Sequence, residues 1–190
     1  GKNILCVNEP PNEMEIQSLQ VNWAEQDPET WWHFTCKAIK RVLSETRIDV
    51  SKISSIGISY QMHGLVIVDD KGAPLRNAII GCDSRAVDIG KNAFHDLGKE
   101  KCATHLLNSP GNFTASKLKW VKDNEPEIYS RIYKYMLPGD YIAYKLSGNI
   151  NTTANGLSEG ILWDYENNCV ANWLLNYYSL DTGLTPDIVE

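Results

Sequence analysis

The sequence predicts an α/β domain with its helical portion gathered on one side. Three observations carry that expectation: a well-capped helix near the start, an apolar strand-like block between Ile53 and Ile80, and helical periodicity from Ser84 onward. At 190 residues, with 43% hydrophobic and 22% charged side chains, the chain holds enough apolar material for one substantial core.

Taken in order, Ile4 to Val7 is a short apolar strand candidate, which the Pro10-Pro11-Asn12 cluster breaks. Asp27-Pro28-Glu29 then reads as a helix start. Asp27 caps free N–H groups, Pro28 suits the first helical position, and Glu29 favours the positive end of the dipole. Trp32, Cys36, Ile39, Val42 and Leu43 recur at helical spacing, so the helix runs to about Glu45. Ile53, Ile56 and Ile58 lead into Tyr60 as a β-rich stretch, and Leu65 to Val68 is a buried-strand candidate. Asp69-Asp70-Lys71-Gly72 is a turn, since adjacent strand carboxylates would point to opposite faces, and Ala78-Ile79-Ile80 is the returning strand. Helices are predicted over 84–98, 115–124, 126–135, 139–147 and 170–178. No internal repeat or low-complexity linker interrupts the run.

Composition excludes some functions. Net charge is −6 and the cations are scattered, which argues against nucleic acid or an anionic membrane as partner. No apolar run approaches the ~20 residues that span a bilayer, and no signal-peptide pattern opens the chain. Cys6, Cys36, Cys82, Cys102 and Cys169 are odd in number, with no C-x-x-C pair. Reduced thiols in a cytoplasmic protein are therefore expected, rather than a disulfide framework or a zinc site. No Walker-type or G-x-G-x-x-G loop is present to cradle a nucleotide, and no H-E-x-x-H spacing to hold a metal.

Three segments offer chemistry. Gln61-Met62-His63-Gly64 lies between two strand candidates, where loops display ligand-binding groups. Gln61 and His63 bring donors and acceptors suited to sugar hydroxyls, Met62 an adaptable apolar wall, and Gly64 room for close backbone approach. The alternative is a turn with a satisfied histidine. Cys82-Asp83-Ser84-Arg85 follows the returning strand. Here Asp83 and Arg85 bind hydroxyls or order the loop, while Asp83 or Ser84 could equally cap the next helix. Asn112-Phe113-Thr114 precedes a helix that Thr114 could cap, with Leu118 and Val121 facing inward.

Taken together and in order, these segments resemble the FGGY carbohydrate kinases, most closely the xylulokinase branch. The resemblance runs through Trp23-Ala24-Glu25-Gln26-Asp27-Pro28-Glu29 with Trp31-Trp32, Gln61-Met62-His63-Gly64, Leu75-Arg76 and Cys82-Asp83-Ser84-Arg85. It continues through Lys117-Leu118-Lys119-Trp120-Val121, Glu125-Pro126-Glu127-Ile128, Leu137-Pro138-Gly139-Asp140-Tyr141 and Leu146-Ser147-Gly148. It implies an actin-like, ribonuclease-H-like ATPase fold and transfer of the ATP γ-phosphate to a sugar hydroxyl. It also implies that Met62 and His63 contact D-xylulose with Gln61 supporting their loop. Asp83 and Arg85 match a substrate-side segment, and Phe113 falls near a sugar-facing position. By the same resemblance residues 1–190 form one N-terminal sugar-binding domain, incomplete at its N-terminus. The first phosphate loop, the catalytic Asp and the C-terminal kinase domain lie outside it. ATP and Mg²⁺ are expected for the intact enzyme, with neither bound by motifs within this chain, which alone is expected to be inactive. A homodimer is a possible assembly. The family commonly carries a Trp where this chain has Gly81, which removes an aromatic wall from the sugar site. A non-catalytic sugar-binding module, a structural actin-like domain, and a kinase for ribulose, gluconate or glycerol remain the alternatives.

Overall fold

The computed structural model describes residues 3–7 and 14–189. In chain order the elements are β1 (Glu25–Gln26), α1 (Pro28–Thr46), a 3-10 turn (Val50–Lys52), β2 (Val66–Val68), β3 (Ala78–Ile79), α2 (Val87–Leu97), α3 (Lys99–His105), α4 (Thr114–Asn124) and α5 (Pro126–Tyr129). They continue with β4 (Lys134–Met136), α6 (Pro138–Ser147), β5 (Asn151–Thr152), α7 (Ala154–Glu159), β6 (Trp163–Asp164), β7 (Cys169–Val170), α8 (Asn172–Tyr177), a second 3-10 turn (Thr182–Leu184) and β8 (Asp187–Ile188).

The central sheet follows from strand periodicity. β1 pairs antiparallel with β3, and β2 antiparallel with β4. The Leu65–Ile79 bridge joins the two ribbons through N–H···O bonds of 2.9 and 3.1 Å, giving the spatial order β1-β3-β2-β4. Because side chains alternate across a strand, Leu65 and Ile67 enter one core while Val66 and Val68 enter another. The first core holds Ile79, Tyr135 and the inner faces of α2, α3, α4, α7 and α8. The second holds Ala78, Ile80, Met136, Trp31 of α1 and Tyr141 of α6. Helices thus cover both faces of the sheet rather than one. The unbroken apolar run Leu65-Val66-Ile67-Val68 is what two-sided burial requires.

Several local expectations hold. Asp27 Oδ1 accepts from Glu29 N at 2.9 Å and Pro28 opens α1. The helix stops one residue past the expected Glu45, where Arg47 turns left-handed at φ 51°. Others need correction. Ile4 to Val7 is not a strand, and Ile4 is 84% exposed. The predicted helix over 126–135 ends at Tyr129 and gives way to β4. Ile132, Tyr135 and Met136 satisfy helical spacing, but Tyr135 and Met136 are buried on opposite faces of the sheet. Tertiary pairing with β2 overrides the period there. The helix over 84–98 begins only at Val87, and Thr114 does not cap α4 but sits inside it. Residues 53–60 form no ladder: among the described residues the N–H groups of 54–60 have no main-chain partner. With α1 they bound an apolar groove of about 640 Å³ lined by Trp31, Phe34, Ile56, Ile58 and Ile142.

Candidate functional site

The Gln61-Met62-His63-Gly64 loop sits where the chain enters β2, and it is held from three directions. Gln61 Oε1 accepts from Gly81 N at 2.7 Å, fastening the loop to the end of β3. The Lys117 ammonium, on the inward face of α4, donates to His63 O at 2.8 Å and Ile80 O at 2.9 Å. Thr114 Oγ1 donates to Gly64 O at 3.2 Å. A side chain at Gly64 would overlap Pro138 and the Gln61 amide, so the close approach expected of this glycine is used. Gly81 plays a matching part, because a Cβ there would collide with the Met62 carbonyl oxygen. With this loop packing, a Trp at position 81 has no room.

His63 adopts the left-handed conformation, φ 62°, which costs energy for a residue with a Cβ. Glu159, the last residue of α7, compensates: its Oε1 accepts from His63 N at 2.7 Å, and its main-chain oxygen lies 3.0 Å from His63 Nδ1. A carbonyl oxygen only accepts, so Nδ1 carries the proton of the neutral ring and Nε2 presents a lone pair. Among the described residues Nε2 has no protein partner. Phe113 stands edge-on to the imidazole, ring centres 4.2 Å apart. These side chains share a cleft of about 190 Å³ with Asn108, Ser158, Glu159 and Tyr165, enough room for one small sugar. Met62 is 57% exposed on the same loop. The cleft therefore combines a histidine acceptor, hydroxyl and amide groups, a carboxylate and an aromatic edge.

Asp83 and Arg85 are placed apart from this cleft. Asp83 is buried, and its carboxylate takes bonds from Ala24 N at 2.7 Å, Arg85 N at 2.9 Å and the Arg85 guanidinium. Arg85, its side chain 1% exposed, also pairs with Glu25 at 2.7 Å and stacks between Trp23 and Trp120, 3.8 and 4.7 Å from their ring centres. The Asn112 amide donates to Asp83 O and accepts from Ala86 N, so this knot fixes the segment carrying Phe113. Of the two roles open to Asp83 and Arg85, this geometry supports ordering the loops.

Two residues here escaped sequence reasoning. Lys117 left a signal, as a lysine spaced with Thr114, Leu118 and Val121 on a buried helix face needs an interior partner. Burial pushes its ammonium down to about 8. Glu159 left none, because only the tertiary fold brings α7 to residue 63. Nearby, burial pushes the Asp140 carboxyl up to about 6, against bonds from Leu137 N at 3.2 Å and Thr152 Oγ1 at 3.0 Å, and the Glu159 charge raises it further. Among the described residues no three His, Cys, Asp or Glu side chains converge. No described helix is long and apolar enough to cross a membrane.

A sheet covered on both faces by helices, with this cleft beside the loop that enters β2, is the architecture of sugar kinases of the actin-like ATPase fold. The crystal structure of a xyloylose kinase from Brucella ovis superposes with a TM-score of 0.85 at 30% identity, over 94% of this chain and 36% of that one. Plasmodium falciparum glycerol kinase, at 20% identity and TM-score 0.82, shares the fold over 93% of this chain and 37% of its own. The chain belongs to the FGGY family of carbohydrate kinases, whose N-terminal domain matches residues 2–190. The Staphylococcus xylosus xylulose kinase is 34% identical over 97% of this chain, and the Escherichia coli xylulose kinase 31% identical over 86%. The chain spans 40% and 34% of those two relatives.

Proposed function

We propose that this chain is the sugar-binding domain of an ATP-dependent kinase that converts D-xylulose to D-xylulose 5-phosphate. In this reading residues 1–190 are one domain. The phosphate loop, the catalytic carboxylate and most of the nucleotide site belong to other parts of the polypeptide. Relatives more than twice as long as the chain support that division. The observation that carries the reading is the fixed tautomer of His63 in the cleft. Nδ1–H donates to Glu159 O, so Nε2 is left to accept from a sugar hydroxyl, and the Phe113 ring offers apolar surface to the sugar C–H groups beside it. Met62 stands exposed on the loop outside the cleft's lining, and Gln61, Asp83 and Arg85 act by holding the loops. Phosphoryl transfer needs positioning above all, and a rigid acceptor site supplies that half of the task.

Calorimetric titration of the 190-residue chain with D-xylulose tests this. His63→Ala removes the acceptor and is expected to weaken binding at least about tenfold, or about 1.4 kcal/mol. Equal affinity in the variant and the parent overturns the reading.

A further inference from the structure

Among the described residues lining the cleft, Glu159 is the only carboxylate and no lysine or arginine is present. Its position is fixed rather than adaptable, because Oε1 is engaged by His63 N at 2.7 Å. The cation that touches the same loop, Lys117, directs its bonds to His63 O and Ile80 O and not to this carboxylate. Among the described residues Glu159 forms no ion pair within 4.0 Å. Burial, with the Glu159 carboxylate nearby adding to it, pushes the Tyr60 hydroxyl above its ordinary range. The charge is thus felt by its surroundings and is not cancelled.

We propose that Glu159 is the specificity-determining residue of the cleft, admitting uncharged polyhydroxylated ligands and rejecting sugar acids. The inference rests on the sugar-site reading above and deepens it. A hydroxyl donates readily to a carboxylate, and such a charge-assisted bond is stronger than a neutral one. A ligand carboxylate placed in the same cleft meets like charge at short range with no cation to offset it. Exclusion therefore comes from repulsion, while the contacts to His63 and Phe113 stay common to both ligand classes.

The test uses two five-carbon probes, D-xylulose and D-xylonate, titrated into the 190-residue chain and into Glu159→Gln. Glutamine keeps an oxygen to accept the His63 N–H but carries no charge. The parent chain is expected to bind D-xylulose at least about tenfold more tightly than D-xylonate, and the variant to shrink that ratio at least about threefold. In the parent, raising salt from about 20 mM to about 500 mM also narrows the ratio by screening, a readout independent of the variant's folding. Equal binding of the two probes by the parent overturns the proposal, as does a ratio unchanged in both the variant and high salt. Binding of neither probe overturns the sugar-site reading itself, and the specificity assignment falls with it.

Discussion

At the scale of single residues, the site depends on side chains that never touch a ligand. Lys117 is fully buried, yet it is the link between the His63 loop and the end of β3. Replacing it with Met leaves two carbonyl oxygens without their donor, at a cost of about 1–3 kcal/mol, partly offset by no longer burying an ammonium. The larger expected effect is on function: Lys117→Met frees the loop and weakens D-xylulose binding by about tenfold or more, read by calorimetry beside a urea melt. A variant destabilised but unimpaired in binding would refute the coupling. The contrast between His63 and Glu159 marks what the sequence made legible. His63 lies in a loop between two strand candidates, where local pattern allows a ligand group or a satisfied turn histidine and only the family resemblance favours the first. Glu159 is 96 positions away and carries no local mark, so its contact exists only once α7 has packed. Asp83 and Arg85 were nominated by position after a strand, but exposure is a tertiary property. The two tryptophans that bury Arg85, Trp23 and Trp120, come from opposite ends of that stretch of chain.

At the scale of elements, legibility followed how locally each element is determined. α1 carries its own start signal in Asp27-Pro28-Glu29, and β2 its two-sided burial in four apolar residues. The predicted helix over 126–135 takes in the first two residues of β4, while the pairing that decides the matter comes from Val66 to Val68. The two-residue strands β5 to β8 are too short to leave any period at all. Residues 53–60 have strand composition, but among the described residues no main-chain oxygen accepts from the N–H groups of 54–60, and a strand is defined by its neighbour. The junction between β3 and the His63 loop offers a direct test. Gly81→Trp places a large ring where even a Cβ meets the Met62 carbonyl and lies 3.0 Å from Gln61 Oε1. The loop must shift, and overpacking of this kind costs about 1–3 kcal/mol. The expected outcome is a lower melting temperature together with weaker D-xylulose binding. Tighter binding would show instead that the loop adapts and that the ring supplies a wall.

At the scale of the whole molecule, the outer part of the first core is pinned by one buried carboxylate. Asp164, 1% exposed, accepts from His105 Nδ1 at the end of α3, from Asn167 N and Nδ2 in the β6–β7 turn, and from Trp173 Nε1 on α8, at 2.9–3.0 Å. Burial alone would raise its pKa, but the bonds from Asn167, His105 and Trp173 together outweigh burial and hold the carboxyl well below the usual range. The sign of the linkage follows. A depressed carboxyl adds stability above the pH where the unfolded group titrates, about 4, and loses it as pH falls toward the folded value. Asp140 acts in the opposite sense: raised to about 6, it favours the folded chain below about pH 4 and loses that contribution as pH rises through 6. Asp164→Asn separates the two, because it leaves Asp140 in place. At pH 7 the variant is expected to be less stable than the parent by roughly 2 kcal/mol, since charge-assisted bonds become neutral ones and one amide hydrogen faces a donor. Below about pH 4 the unfolded parent takes up a proton on Asp164 that the folded cluster resists, so the gap between the two proteins should narrow as pH falls. Urea denaturation followed by tryptophan fluorescence at pH 7, 5 and 3 reads this directly, as Trp173 is itself a member of the cluster. A gap constant across the three pH values would mean that packing, rather than the charge of Asp164, joins α3 to α8.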